Sequence, residues 1–124
     1  MNMQTQPYQD QASSLSTKLG KDAEIDVILK STRRLQMANQ NRNSNFSEFA
    51  AAVQVNRKLW TILASDVATS GNRLPPDLRA MIFYLSEFVQ YYSSTLLKDE
   101  VEITPLLDIN VAIIRGLSAQ GVQE

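Results

Sequence analysis

Residues 56–76, NRKLWTILASDVATSGNRLPP, decide how this chain is read. At about 100° per residue, Asn56, Leu59, Leu63 and Val67 share one arc of a helix, which Trp60 and Ile62 widen toward half the circumference. Phe49, Ala52 and Val53 continue the arc upstream, so that only Gln54, Lys58, Thr61 and Ser65 form a clearly polar strip. An apolar face this wide needs several neighbours. The segment is therefore read as the central helix of a bundle, predicted over residues 47–70 with Ser47 as its cap and Glu48 just inside. Gly71 is expected to turn left-handed at its end. Pro75 and Pro76 cannot continue that helix but suit the first turn of the next, because the ring fixes φ near the helical value and lacks only a donor that would be unpaired there.

Outward from this stretch the same period recurs. Upstream, a helix is predicted over residues 22–40, capped by Asp22, with Ile25, Ile28, Leu29 and Leu35 on one side and Lys30, Arg33 and Arg34 on the other. The asparagine-rich residues 39–45 end it. Downstream, a third helix is predicted to about residue 97, with Leu78, Met81, Ile82, Leu85, Phe88, Val89, Tyr92 and Leu96 as its core stripe. Arg79, Ser86, Gln90 and Ser93 are placed facing away. Residues 98–102 read as a charged connector; Thr104 is then expected to cap, and Pro105 to open, a fourth helix ending near Gly116 or a little beyond. Its inner face is Leu106, Ile109, Asn110, Ile113, Ile114 and Leu117.

These patterns predict an all-α fold: a compact four-helix, mostly antiparallel bundle over residues 21–124. Residues 1–20 are rich in amides and hydroxyls, with few large apolar side chains, and are expected to form a flexible polar N-terminal segment. They lack a basic region followed by an apolar run, so no secretory signal is read there. A chain of 124 residues can bury a core of useful size.

Composition narrows the function classes. With 12 basic and 13 acidic residues the net charge is −1, which gives no global attraction to nucleic acid or acidic membranes. The chain has no cysteine and no histidine, removing thiolate nucleophiles, thiol and imidazole metal ligands and the usual neutral-pH general base. A non-enzymatic, soluble, cytoplasmic protein is expected, with no cofactor, no metal, no small-molecule substrate and no membrane span.

Several residues stand out against this background. Asn56 and Asn110 each lie near the centre of an apolar arc, where an unpartnered amide costs about 1–3 kcal/mol. The two are expected to lie close together, fixing the register of the second and fourth helices. Trp60, Leu63 and Val67 are read as core anchors, with a partner groove partly lined by Trp60 as the alternative. Arg57, at the edge of the arc, is expected to pair with an acidic residue of a neighbouring helix. Phe83 falls on a polar helix face and Leu97 lies beyond it, so both are partner-contact candidates; Tyr84 and Tyr91, seven residues apart, either form a semi-polar binding edge or close the core. Lys30, Arg33, Arg34 and Arg42 make a modest basic face, the feature that would support contact with RNA. The run Asp99, Glu100, Glu102 lacks the ligand spacing of a calcium loop.

The wording NRKLWTILASDVATSGNRLP, followed by LRAMIFYL and LLDINVAIIRGL, resembles the FlaF family of flagellar biosynthesis regulators of alphaproteobacterial flagellar systems. The resemblance is carried by Asn56, Arg57, Leu59, Trp60, Leu63, Asp66, Asn72, Leu74 and Pro75, then by Pro105, Leu106, Asn110, Gly116 and Leu117. Tyr8 and Ala12 faintly resemble the family's amino-terminal region, from which the glutamine-rich start departs. The resemblance implies positive control of flagellin production and support of flagellin secretion, through binding of flagellin before export, alongside the opposing regulator FlbT. A small bundle suits this role by offering a groove to a flagellin helix. The rival readings are a direct RNA-binding regulator and a structural, oligomerising bundle.

Overall fold

The computed structural model describes residues 21–123; the N-terminal segment expected for residues 1–20 lies outside them. Four helices follow in order, α1 (Lys21–Gln40), α2 (Phe46–Val67), α3 (Pro76–Lys98) and α4 (Thr104–Gln123). No strand occurs among the described residues. Each short connection returns the chain antiparallel to the helix before it. The helices close into a ring in which α1 packs on α2 and α4, and α3 packs on α2 and α4. The diagonal pairs do not approach backbone to backbone. Thus α2 is not a central helix, as expected from its wide apolar arc, but one of four members of the ring, each packed on two neighbours, and Ile62 at the edge of that arc is exposed.

Helix starts depart from the sequence reading in one consistent way. The cap of α2 is Asn45, whose side chain accepts from Glu48 N, so Ser47 lies inside the first turn. Likewise α4 already includes Thr104, the carbonyl of Ile103 ahead of it accepting Leu106 N and Leu107 N, whereas the predicted Asp22 cap adjoins residues outside those described. In both α2 and α4 the chosen polar residue was slightly too far along, because caps and first-turn residues have similar chemistry.

The ends also shift. α2 stops at Val67 because Thr69 turns back on it: Thr69 N and Thr69 Oγ1 both bond Asp66 O, at 3.1 and 2.7 Å. Gly71 does not take the left-handed conformation, and a Cβ built on it would meet nothing within 4 Å. α4 continues through Gly116 to Gln123, since Leu117 beyond it is fully buried. A Cβ at Gly116 would stand 3.2 Å from Leu78 Cδ1, so this glycine leaves room for the Leu78 side chain of α3.

The core runs through the ring from Ile28, Leu35, Phe49, Val53 and Trp60 to Ile82, Val89, Leu96, Leu106, Ile113 and Leu117. Burying each such side chain contributes about 1.5–3 kcal/mol relative to leaving it in water. On α3 the buried stripe is Ile82, Val89 and Leu96 at seven-residue spacing, with Ser86 and Ser93 between them. Both serines, expected to face away, are inside, whereas Met81 and Phe88, expected in the core, are partly exposed. A ring of four helices covers only a limited arc of each member, and at the buried edge of α3 small residues allow close packing against α2. No described helix is long and apolar enough to cross a membrane.

Candidate functional site

The centre of the bundle is polar. Asn110 Nδ2 on α4 donates to Asn56 Oδ1 on α2 at 2.8 Å and to Thr32 Oγ1 on α1 at 3.0 Å. Asn56 Oδ1 also accepts from Ser31 Oγ at 2.9 Å, and Asn110 Oδ1 accepts from Trp60 Nε1 at 2.8 Å. Ser86 Oγ of α3 reaches Trp60 O at 3.3 Å, so all four helices join one buried network. In a low-dielectric interior such bonds are strong and their loss is expensive. Trp60 therefore anchors the core through both its ring and its indole N–H, and Leu63 and Val67 are buried below it. Ser31 and Thr32 were missed from sequence although they fall between Ile28 and Leu35 at helical spacing, the signal that places them inward.

Arg57 does not pair with an acid. Its guanidinium donates to Gln90 Oε1 at 2.9 Å, Gln90 O at 3.1 Å and Ser94 Oγ at 2.7 Å, all on α3, and Gln90 Nε2 returns a bond to Arg57 O at 3.2 Å. The fork of Arg57 is thus a clamp between α2 and α3. Neutral acceptors suffice because Arg57 is only half-buried and keeps part of its hydration.

Arg42 leaves the basic face to which the sequence assigned it. It donates to the carbonyls of Val101 (2.6 Å), Leu96 (3.1 Å) and Asp99 (3.0 Å), with its guanidinium carbon 4.4 Å above the centre of the Phe49 ring. One cation thereby ties the α1–α2 turn to the α3–α4 turn and satisfies carbonyls at the carboxyl end of α3. Beside it Tyr92 stacks on Phe88, with centroids 5.4 Å apart, and its hydroxyl donates to Glu102 O. Burial, reinforced by the Glu102 carboxylate and opposed by Arg42, raises the Tyr92 pKa above the usual phenol range.

The partner candidates divide. Leu97 is partly buried against the core and does not offer a free surface. Phe83, Tyr84 and Tyr91 are exposed at 53, 73 and 69%. With the two residues displaced from the core they form a pattern: Met81, Tyr84, Phe88 and Tyr91 follow i, i+3, i+7, i+10 spacing, an apolar stripe along the outer side of α3. Phe83 stands apart, on the side of α3 that carries Gln90 and Ser94 toward α2.

The chain matches the family described as flagellar protein FlaF over residues 4–117. It belongs to the FlaF family. Comparison with curated proteins and with solved structures returned no match. The FlaF-like wording maps onto the architecture just described: Asn56, Trp60 and Asn110 build the central network, and Arg57 clamps α3. In the exit from α2, Asn72 Nδ2 donates to Asp66 O at 3.3 Å while Asn72 Oδ1 accepts Leu74 N at 3.0 Å, shaping the turn into Pro75. Much of the FlaF-like wording thus holds the bundle together; of the exposed stripe of α3, Met81 and Tyr84 fall within that wording and Phe88 and Tyr91 outside it.

Proposed function

We propose that this flagellar protein binds flagellin in the cytoplasm and promotes its synthesis and secretion, as a chaperone-like, non-enzymatic regulator acting alongside FlbT. Membership of the FlaF family supports the flagellar role. The observation that carries the binding surface is the exposed stripe Met81, Tyr84, Phe88 and Tyr91, beside the seam where α3 and α4 share the smallest contact of the four adjacent pairs. Contiguous exposed apolar residues mark partner sites, and an amphipathic helix laid along such a seam covers its apolar face by helix-in-groove packing. Arg57 and Leu97 are not part of this surface, being engaged within the fold.

The RNA reading draws less support. Arg42 is consumed by the fold, Lys30 is bridged to Asp26 and Arg34 to Glu48. Co-purification with flagellin followed by hydrogen exchange tests the proposal. Protection along the outer side of α3 is the expected result; undiminished flagellin binding after Tyr84→Ser, Phe88→Ser and Tyr91→Ser would remove this surface.

A further inference from the structure

We infer that the seam between α1 and α2 is a second docking surface, shaped for an acidic amphipathic helix; this rests on residues separate from the flagellin surface proposed above. On α1, Val27, Lys30, Arg34 and Met37 recur at i, i+3, i+7, i+10, the same outward spacing as the stripe on α3. On α2, Val55, Lys58 and Ile62 form the matching row. The Ser31–Asn56 bond at 2.9 Å sets the antiparallel register, bringing Val27 level with the turn of α2 that holds Leu59 and Ile62. Val27, Val55 and Ile62 are each about half exposed and Met37 more so, with Leu59 partly buried against the core. At the Met37 end the seam widens into an open groove of about 480 Å³, bordered by Lys30, Arg33 and Arg34 and reaching the buried Ala38.

The charge beside this strip chooses the occupant. From Val27 to Met37 on α1 and from Glu48 to Ile62 on α2, Lys30, Arg33, Arg34 and Lys58 stand against Asp26 and Glu48, both already bridged, Asp26 to Lys30 at 3.1 Å and Glu48 to Arg34 at 3.3 Å; Asp22, Glu24 and Asp66 lie beyond, at the opposite end of the seam. Arg33 and Lys58 have no anionic partner among the described residues. This local excess of positive charge occurs in a chain whose net charge is −1. Residues 1–20 carry one aspartate, Asp10, and one lysine, Lys18, so the chain's own start does not supply the missing negative charge. The aliphatic strip also lacks the flat aromatic platforms on which single-stranded nucleic acid stacks. An apolar strip with unpaired cations at its edges fits a helix whose apolar face is flanked by glutamate or aspartate. The α3 stripe differs, being aromatic and flanked by Asp77 and Glu87 as well as Lys98, without this excess of cations.

The test uses the full chain and labelled helical peptides with a leucine stripe, flanked either by glutamates or by lysines, with a single-stranded RNA as a third probe. Fluorescence anisotropy is expected to show binding of the glutamate peptide, and at least about tenfold weaker binding of the lysine peptide. Arg33→Glu with Lys58→Glu should weaken the glutamate peptide about tenfold, and Val55→Ser with Ile62→Ser should abolish its binding. Tyr84→Ser with Tyr91→Ser should leave it unchanged, and circular dichroism should show all variants folded. Equal binding of the two peptides, or normal binding by the Arg33→Glu, Lys58→Glu variant, would overturn the inference. So would RNA binding that depends on these residues while the glutamate peptide fails to bind. A photo-crosslinker placed at position 62 that captures residues 1–20 or a second copy of the chain would assign the seam to those occupants instead.

Discussion

The carboxamides of Asn56 and Asn110, 54 residues apart in sequence, meet at 2.8 Å inside the bundle, on helices that do not otherwise approach backbone to backbone. Around this contact Ser31, Thr32 and Trp60 also spend their polar atoms, so the pair is the hub of a network and not an isolated bond.

That arrangement sets an expectation for substitution at the hub. Asn110→Leu leaves Trp60 Nε1 without its acceptor, removes the donor to Thr32 Oγ1 and leaves Asn56 Oδ1 only its bond from Ser31, and is expected to destabilise by about 2–4 kcal/mol in denaturant unfolding. Replacing both partners of a lone buried pair by apolar groups can be nearly neutral. Here Asn56→Leu with Asn110→Leu should not recover stability, because Ser31 Oγ and Trp60 Nε1 still lose their acceptors. Recovery to the native level would show that the asparagines act only as a pair.

Arg42 should be the most sensitive of the basic residues. Arg42→Ala removes three charge-assisted bonds to carbonyls and the contact over Phe49, an expected loss of about 2–4 kcal/mol. Arg42→Lys should recover only part of it, since an ammonium cannot reproduce the planar fork. Arg33→Ala, on the exposed face, should stay within about 0.5 kcal/mol of the native protein. Thermal melting of the three variants orders them.

Gly71 offers a stabilising change. Its backbone lies outside the left-handed region and a Cβ would enter open space, so Gly71→Ala should raise stability by about 0.4–1 kcal/mol, through reduced freedom of the unfolded chain. A loss of stability on this substitution would show that a left-handed turn is needed there after all.

Tyr92 gives the fold an alkaline limb. Its pKa is raised by burial and by Glu102, so the neutral phenol is favoured in the folded state. The associated stability is complete below the unfolded phenol's pKa of about 10 and is lost as pH rises through the higher folded value. Tyr92→Phe loses the bond to Glu102 O, about 0.5–1.5 kcal/mol, and should lack this Tyr92-linked decline. Unfolding free energies of the two proteins, measured across the alkaline range, should therefore converge as pH increases.

The α3 stripe should matter for binding and little for stability. Tyr84→Ser and Tyr91→Ser remove exposed rings, so each should shift unfolding by no more than about 0.5 kcal/mol. Aromatic anchors at interface centres commonly account for about 2 kcal/mol or more, so the pair should weaken flagellin binding by well over tenfold. Calorimetric titration with flagellin distinguishes this from a stability effect.

The sequence by itself determined the four helices of the described residues, the period of their apolar faces and the identity of the deep residues Trp60, Asn56 and Asn110. These follow from local rules: 3.6-residue spacing, proline at helix starts and the expense of an unpaired amide. Tertiary structure decided which part of each wide apolar arc is covered. Ile62, Met81 and Phe88 lie at arc edges, and a ring of two neighbours per helix leaves them in solvent while taking Ser86 and Ser93 inside. It also decided where long side chains end. Arg42 and Arg57 reach backbone and side-chain oxygens 33 to 59 residues away, and no spacing rule along one helix encodes a bond between helices. Only the closed ring separates the residues that hold the bundle from those left free to meet a partner.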